Sequence, residues 1–382
     1  MPVKKSFQEI NEKIKKGKAV ILTAEEVSAM GRELTPAQVV EKVDVVTTAT
    51  FGPMCSSGML INTGHSDPPI RIESATLNGV PVFSGIAAVD LYIGATENHP
   101  ERPDYGGAHI IEELIDGKDL ELVAHAKGTD CYPRRDIRTT INRENINEMI
   151  MFNPRNAYQN YPAAVNASNR IKYTYMGSLL PRMGNANYST SGELSPLLND
   201  PDMRTIGLGT RIFLGGTTAY VSWHGTQYKS NAELNEHGVP VSNSATLTVM
   251  GDARNMSSEY IKAAYYEKYG VSMFVGIGIP IPVLDEEMAA RLMIRNDQIT
   301  TRILDYGNPG HPELGRVNYA QLMSGEIEFQ GKKIRTSSLS SLYKARKIAD
   351  ILKKQLEDGA FLLTEPLEAF PLGKGLKSLE IR

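Results

Sequence analysis

Residues 44–62 read Asp-Val-Val-Thr-Thr-Ala-Thr-Phe-Gly-Pro-Met-Cys-Ser-Ser-Gly-Met-Leu-Ile-Asn. The apolar and β-branched residues at 44–50 predict a buried strand, and residues 59–62 predict a second one. The glycines and the proline between them predict a tight turn. This stretch therefore favours a fold built on a sheet, with Cys55 in a loop at the end of a strand.

Helices and strands alternate on both sides of this stretch. Residues 7–16 and 24–43 predict helices, the second interrupted before Pro36, and residues 340–356 predict the longest helix. Residues 121–126 predict a strand that leads into the loop of Cys131, and a second alternation follows later in the chain, with helices at 257–269 and 285–294 and strands at 271–279 and 298–304. We therefore expect an α/β fold of the mixed α+β kind, with mixed sheets and flanking helices.

The length of 382 residues is enough to bury a large core. We expect residues 1–382 to form one catalytic region of two closely packed lobes, 1–231 and 245–382. The middle of the chain, residues 153–217, is rich in Asn, Gly, Pro, Ser and Tyr, which predicts long ordered loops. Such loops line either a binding site or an oligomer contact, so a homo-oligomer is left open.

The composition bounds the choice of partners. Lys and Arg total 41 and Asp and Glu total 44, a formal net charge of -3, which favours a small-molecule substrate over nucleic acid or a membrane. The apolar stretch 271–282 is too short to span a bilayer. Residues 1–18 are rich in lysine and lack the apolar core of a signal peptide. We therefore expect a cytoplasmic protein.

The chain has two cysteines, Cys55 and Cys131. Two thiolates cannot supply the four ligands of a structural zinc or an iron–sulfur cluster, so we expect no metal and no bound cofactor. The glycines at 207–216 do not form the loop of a dinucleotide or ATP site. A disulfide would stabilise the fold by about 4 kcal/mol in the entropic description, but a reducing cytosol favours two free thiols.

Cys131 has the surroundings of a reactive thiol. Lys127, Arg134 and Arg135 are close in sequence, and nearby cations lower the pKa of a thiol. The two arginines are also candidates to anchor a substrate carboxylate. The alternative is that Cys131 is a small buried apolar residue, which its polar neighbourhood disfavours.

Three further groups are candidates for contact with a substrate. Ser56 and Ser57 follow the first cysteine, where they donate hydrogen bonds to a carboxylate or a departing sulfur, or simply allow a tight turn. His65 and Asp67 orient an amino-acid substrate and transfer a proton, or belong to a turn before a strand. His224 follows the single tryptophan and is a second candidate for proton transfer.

Three motifs carry a family resemblance: Thr-Phe-Gly-Pro-Met-Cys-Ser-Ser-Gly at 50–58, Gly-His-Ser-Asp-Pro-Pro at 64–69 and Gly-Thr-Asp-Cys-Tyr-Pro-Arg at 128–134. With them, nearly the whole chain resembles the homocysteine-biosynthesis family, the L-aspartate semialdehyde sulfurtransferases of methanogens and other anaerobes. The resemblance implies synthesis of homocysteine from aspartate 4-semialdehyde, a sulfur source and two electrons. It also implies a persulfide on Cys131, a recurrent but less certain role for Cys55, and a ferredoxin-like protein as the external electron donor.

Many members of this family also carry a C-terminal pair of CBS domains. The 382 residues leave no room for them, so we expect the catalytic part alone. Two other functions are left open by the residues themselves. One is a cysteine-dependent acyl transferase or hydrolase that pairs Cys131 with His125 or His224, and the other is a non-enzymatic, redox-sensing binding protein.

The sequence also predicts a geometry. Both cysteines follow predicted strands, and strand ends at one edge of a sheet converge. We therefore expect Cys55 and Cys131 to meet at one pocket lined by Arg134 or Arg135. A transient disulfide between them requires Cα atoms about 4.4 to 6.8 Å apart.

Overall fold

The computed structural model describes residues 3–381, which form eight α-helices and twenty-two β-strands. No helix within these residues is long and apolar enough to cross a membrane. The helices are α1 (Phe7–Lys15), α2 (Ala24–Met30), α3 (Pro36–Lys42), α4 (Gly107–Ile115), α5 (Pro196–Asn199), α6 (Glu286–Leu292), α7 (Tyr319–Met323) and α8 (Leu342–Glu357).

The largest sheet has ten strands and is mostly antiparallel. Residues 232–244 connect the two predicted lobes. Strands that precede this segment in the chain pair with strands that follow it, so the segment does not separate two sheets. In spatial order the strands are β1 (Ile21–Thr23), β2 (Val45–Pro53), β18 (Gly270–Pro282), β14 (Arg211–Leu214), β15 (Thr217–His224), β16 (Leu247–Asp252), β9 (Glu148–Asn156), β3 (Gly58–Asn62) and β6 (Asp90–Gly94), and β17 (Ile261–Tyr266) also pairs with β18.

Three smaller sheets complete the fold, which confirms the predicted mixture of sheets and helices. A mixed six-stranded sheet contains β20 (Glu313–Asn318), β19 (Thr300–Asp305), β10 (Ala163–Val165), β13 (Asn185–Tyr188), β22 (Lys332–Ser338) and β21 (Glu326–Phe329). An antiparallel four-stranded sheet contains β5 (Val80–Val82), β4 (Ser74–Leu77), β7 (Leu120–His125) and β8 (Asp136–Ile141). A two-stranded hairpin pairs β11 (Lys172–Thr174) with β12 (Gly177–Leu179).

Helix α8 covers β2 and β18, the second and third strands from one edge of the large sheet. Its Ile348 and Leu352 are fully buried. A Cβ atom at Gly276 of β18 would lie 2.8 Å from Cδ1 of Ile348, so glycine at this position lets the helix approach the sheet closely. This packing fixes the position of β2, which leads into the Cys55 loop.

The predicted helix break before Pro36 is confirmed. Thr35 caps α3 with a reciprocal pair of hydrogen bonds, in which the Gln38 amide donates to Thr35 Oγ1 at 3.4 Å and the Thr35 amide donates to Gln38 Oε1 at 2.9 Å. Pro36 occupies the first turn of the helix, where its missing N–H costs nothing.

The predicted helix at 257–269 is wrong, because residues 261–266 form β17 instead. The Ala, Glu and Lys residues of this segment favour a helix only weakly, and pairing with β18 outweighs that preference. Lys268 (φ 56°) and Gly270 (φ 123°) have positive φ angles in the turn that joins the two strands. The composition of residues 257–269 gives no indication that β18 is available as a pairing partner.

Candidate active site

A cavity of about 270 Å³ lies where β2 ends, and Cys55 is part of its wall. Its volume is close to the lower limit of about 300 Å³ that is typical of small-molecule sites. The other lining residues come from the ends of β2, β9 and β18 and from the loops that follow β9. They are Thr50, Pro53, Met54, Arg155, Ala157, Tyr158, Tyr161, Tyr175, Met176, Ser189, Thr190, Ser195, Pro196, Gln227, Tyr269 and Ser272.

The loop that presents Cys55 is held by its two serines. Ser57 Oγ donates a hydrogen bond to the Met54 carbonyl at 2.7 Å and accepts one from Asn153 Nδ2 at 2.7 Å. Ser56 Oγ donates to Asn153 Oδ1 at 3.1 Å and to the Arg155 carbonyl at 3.0 Å. Because Asn153 is buried, these contacts fix the loop against β9. The two serines therefore position Cys55.

The electrostatics at Cys55 are a balance of opposing effects. The side chain is solvent-accessible, yet the cavity walls crowd it, and this partial desolvation raises the pKa of the thiol. The positive charge of Arg155 and the backbone N–H groups of Cys55 and Ser56 act in the opposite direction, because they favour the thiolate. Arg155 is the one charged side chain among the described residues that line the cavity.

This balance predicts how Cys55 reacts with iodoacetamide in a Cys131→Ser background. The alkylation rate should rise with pH over a higher range than for a small-peptide thiol, whose pKa is about 8.5. Arg155→Met should move the rise to still higher pH, because the charge that favours the thiolate is lost. Rates measured against pH by mass spectrometry test this, and a midpoint at or below that of the peptide thiol would contradict it.

Aromatic hydroxyl groups dominate the polar part of the cavity. Four tyrosines line it, namely Tyr158, Tyr161, Tyr175 and Tyr269. Tyr161 donates its hydroxyl proton to Tyr175 Oη at 2.9 Å, and Tyr175 Oη lies 2.6 Å from the hydroxyl of the buried Tyr306. Three phenol groups are thus linked, two of them in the cavity wall and the third, Tyr306, outside it.

Cys131 lies elsewhere, in the exposed loop that joins β7 to β8. Reciprocal backbone hydrogen bonds between Thr129 and Tyr132, at 2.9 and 3.1 Å, hold the loop as a tight turn around Cys131. The Tyr132 ring stacks on His65 with a centroid distance of 6.1 Å. The structure therefore brings together two of the three sequence motifs, those at 64–69 and 128–134.

Arg134 joins these two motifs. Its backbone N–H donates to the Pro69 carbonyl at 3.2 Å, and its guanidinium donates to the carbonyls of Asp67 and Pro68. The guanidinium is thus engaged by the backbone of the neighbouring loop, although the sequence predicted a contact with substrate. The Arg135 side chain instead packs against Gly128, where a Cβ atom would lie 3.1 Å from its Cγ.

The predicted meeting of the two cysteines at one pocket is wrong in this structure. Cys55 precedes β3, whereas His65, which stacks on Tyr132, follows it. A five-residue strand spans roughly 13 Å at about 3.3 Å per step, far beyond the separation that a disulfide allows. Neither Cys131 nor either arginine lines the cavity of Cys55. The prediction failed because β2 and β7 belong to different sheets.

Neither histidine that the sequence offered for proton transfer lines this cavity. His65 lies beside the Cys131 loop. His224 lies at the end of β15, where its ring is tilted against Tyr228 at 5.2 Å and its Nε2 is 3.2 Å from Lys374 Nζ. The motif around His224 nevertheless reaches the site, because Gln227 lines the cavity and Thr226 Oγ1 accepts a hydrogen bond from Arg155 Nε at 3.3 Å.

A histidine–carboxylate pair flanks the Cys131 loop. His125 and Asp136 face each other across β7 and β8, with Nδ1 and Oδ1 2.7 Å apart. Both side chains are exposed, and neither lines the cavity of Cys55. Water competes for this contact, so it contributes little to stability.

Arg155 and the tyrosines are the site residues that the motifs missed. One signal did point to this region, because residues 153–217 were predicted to form ordered loops lining either a binding site or an oligomer contact, and most of the cavity wall comes from that segment. Residue type alone does not show which of the 17 tyrosines face the cavity. Within residues 3–381, no cluster of three or more His, Cys, Asp or Glu side chains is arranged to hold a metal ion.

Comparisons with known proteins agree with the sequence motifs. Residues 19–363 match the family described as "Homocysteine biosynthesis enzyme, sulfur-incorporation". The chain is 48% identical over 99% of its length to an L-aspartate semialdehyde sulfurtransferase of Methanosarcina acetivorans, covering 74% of that protein. It is 46% identical over 96% of its length to the protein of the same name from Methanocaldococcus jannaschii, covering 73% of it.

A third relative, an uncharacterized protein of Methanothermobacter thermautotrophicus, is 29% identical over 84% of this chain. No solved structure matches the chain. The family assignment favours sulfur transfer over the hydrolase and the non-enzymatic alternatives. The chain belongs to the homocysteine-biosynthesis family of sulfur-incorporating enzymes and is a sulfurtransferase.

Proposed function

We propose that this protein converts L-aspartate 4-semialdehyde to L-homocysteine through a cysteine persulfide, with electrons from an external donor. The observation that carries this proposal is the position of Cys55 in a small cavity where Arg155 is the one charged wall residue within residues 3–381. A nucleophilic sulfur beside a single cation suits a small anionic aldehyde. The names of the two curated relatives supply the identity of the aldehyde.

The cavity has groups for each end of this substrate. Arg155 is suited to the α-carboxylate, because a guanidinium binds a carboxylate through two parallel hydrogen bonds. The tyrosine rings are suited to the α-ammonium group, since cations are attracted to aromatic faces. The aldehyde carbon is then placed towards Cys55. This arrangement would hold the reacting atoms together. The loss of translational and rotational freedom then occurs on binding and no longer adds to the barrier of the bond-forming step.

The atoms and electrons balance as follows. The terminal sulfur of the persulfide attacks the aldehyde carbon, and the carbonyl oxygen takes up a proton. Two electrons and two protons then cleave the S–S bond and return the Cys55 thiol. Loss of water from the resulting geminal hydroxythiol gives a thioaldehyde, and two further electrons and two protons reduce it to the thiol of homocysteine. When the persulfide is made from sulfide and the Cys55 thiol, the oxidised form of the external donor accepts the two electrons released, so the net demand on the donor is two electrons.

Cys131 has a separate place in this proposal. Its exposed loop is accessible to a sulfur donor, and we assign it as a point where sulfur enters as a persulfide. A small diffusible thiol then takes the outer sulfur, which frees the Cys131 thiol, and passes it to Cys55 in a second exchange that returns the small thiol. The aldehyde step is assigned to Cys55, because Cys131 does not line the cavity. Treatment with sulfide under mild oxidation, followed by peptide mass spectrometry, locates the added sulfur. Its absence from the Cys131 peptide would remove Cys131 from the pathway.

The electrons are assigned to a ferredoxin-like donor protein. The two cysteines of the chain cannot form the four-cysteine ligand set of an iron–sulfur cluster, so a cluster would have to lie on a partner. This part of the proposal predicts that turnover depends on an added low-potential reductant.

An anaerobic assay tests the function directly. The protein is incubated with aspartate semialdehyde, sulfide and a low-potential reductant, and homocysteine is measured by chromatography. We expect product only when all three additions are present. Turnover of a thioester without sulfide or reductant would instead support acyl transfer or hydrolysis.

A further inference from the structure

The cavity needs an acid for the carbonyl oxygen, and neither His65 nor His224 lines it. The guanidinium of Arg155 does not release a proton in proteins, and the aliphatic hydroxyls of the wall are much weaker acids than a phenol. On the basis of the proposed function, we propose that Tyr175 is the catalytic acid, which protonates the aldehyde oxygen, and that Tyr161 and Tyr306 position and activate it.

Tyr175 differs from the other tyrosines of the wall in its hydrogen bonds. It is the central member of a linked group of three phenols, with Tyr161 at 2.9 Å and Tyr306 at 2.6 Å. Among the described residues, Tyr269 has no hydrogen bond through its hydroxyl group, and Tyr158 contacts Arg155 and, at 3.4 Å, Gln227 instead of another phenol. Tyr175 is therefore the wall phenol with two close phenol partners.

The direction of these hydrogen bonds leaves the Tyr175 proton available. Tyr161 donates to Tyr175. Tyr306 is 8% exposed, and within residues 3–381 its hydroxyl has no partner except Tyr175. A buried O–H without an acceptor is costly, so Tyr306 is best satisfied by donating as well. Tyr175 Oη then accepts two hydrogen bonds, and its own proton can face the cavity.

This arrangement stabilises the phenolate that forms when Tyr175 gives up its proton. Hydrogen bonds to the charged form of an acid favour ionisation, and linked hydrogen bonds strengthen one another. Burial raises the pKa of both Tyr161 and Tyr306, and the neighbouring Tyr175 adds to this effect, so these two phenols remain protonated as donors.

The step is a proton transfer without redox change. The C–S bond forms as the π bond of the carbonyl breaks, and the electron pair that moves to oxygen takes the Tyr175 proton. Tyr175 is left as a phenolate with hydrogen bonds from its two neighbours. A proton from solvent then restores the phenol before the next turnover.

The experiment compares Tyr175→Phe with Tyr173→Phe. Tyr173 lies two positions away, beside Lys268 and outside the cavity, so its substitution is a matched control. We expect Tyr175→Phe to reduce kcat by about a hundred-fold or more, the usual contribution of a positioned acid. KM and the loading of persulfide on Cys55 should change little, and Tyr173→Phe should behave as the wild type. A kcat for Tyr175→Phe within about three-fold of wild type would overturn the proposal.

Tyr306→Phe tests the positioning role, since Tyr306 does not line the cavity. Loss of a hydrogen bond to the phenolate should lower kcat by about ten-fold and leave KM unchanged. In a Tyr175→Phe background the same substitution should have no further effect, because Tyr306 acts through Tyr175. A wild-type kcat for Tyr306→Phe, or a further ten-fold loss in the Tyr175→Phe background, would overturn the positioning role.

A third variant keeps the hydroxyl group and changes only its acidity. Incorporation of 3,5-difluorotyrosine at position 175 should restore most of the kcat that Tyr175→Phe loses, and a kcat as low as that of Tyr175→Phe would contradict the assignment. Failure of this inference can be told apart from failure of the proposed function. If the wild type carries persulfide on Cys55 but makes no homocysteine, the proposed function and this inference are both overturned. If the wild type makes homocysteine and the Tyr175 variants are equally active, the proposed function stands and Tyr175 is not its acid.

Discussion

Cys55→Ser is expected to reduce homocysteine formation by roughly a thousand-fold or more, because a serine hydroxyl cannot carry the sulfur atom that attacks the aldehyde. The prediction rests on the cavity position of Cys55 and on the hydrogen bonds of Ser56 and Ser57 that hold its loop. Serine preserves the size and polarity of the site, so the fold should be unchanged. Steady-state turnover in the anaerobic assay is the measurement, and thermal unfolding verifies the fold.

Cys131→Ser separates the two cysteines. With persulfide already loaded on Cys55, this variant should complete a single turnover at the wild-type rate, whereas loading from a sulfur donor should be slower. The opposite pattern, with Cys55→Ser active and Cys131→Ser inactive in single turnover, would assign the aldehyde step to Cys131. That result would also require the β7–β8 loop to form a site of its own.

The second large effect is expected at Arg155. Arg155→Met should raise KM for aspartate semialdehyde by about fifty-fold, which corresponds to the loss of charged hydrogen bonds worth about 1.5 to 3 kcal/mol. Arg155→Lys should recover part of the loss, because the charge is kept while the paired geometry is not. Initial rates as a function of substrate concentration give both values.

Arg135→Met is the control for this prediction. Arg135 is an exposed cation that does not line the cavity, although its place beside Cys131 made it a candidate carboxylate anchor in the sequence. Its substitution should leave KM within about two-fold of wild type, as is usual for surface changes. A large rise in KM for Arg135→Met together with none for Arg155→Met would restore the arginine-rich loop as the substrate site.

Local signals in the sequence were sufficient for most of the fold. The run at 44–50 and the cap at Thr35 depend on residues that are adjacent in the chain, and both predictions were confirmed. The segment at 257–269 failed, because β17 exists through its pairing with β18. A helix-forming composition contains no information about a strand that becomes available only in the folded protein.

The site was predicted in part for the same reason. The motifs identified both cysteines, and the composition of residues 153–217 indicated a loop-built wall. The sheet to which each strand belongs was not visible, so Cys131 and Arg134 were placed beside Cys55. Arg155 was overlooked because a single arginine near the end of a strand has no distinguishing pattern. Its importance comes from contacts with residues that are distant in the sequence, such as Thr226.

The separation of the two thiols by β3 also determines what happens when the Cys55 thiol is oxidised. In many redox proteins a sulfenic acid condenses with a resolving cysteine and is thereby protected. Cys55 has no such partner in this chain, since Cys131, the one other cysteine, is at the far end of the strand. Its first oxidation product must be rescued by a thiol from outside or proceed to the irreversible sulfinic acid. The fold thus leaves the protection of an oxidised Cys55 to a thiol from outside the chain.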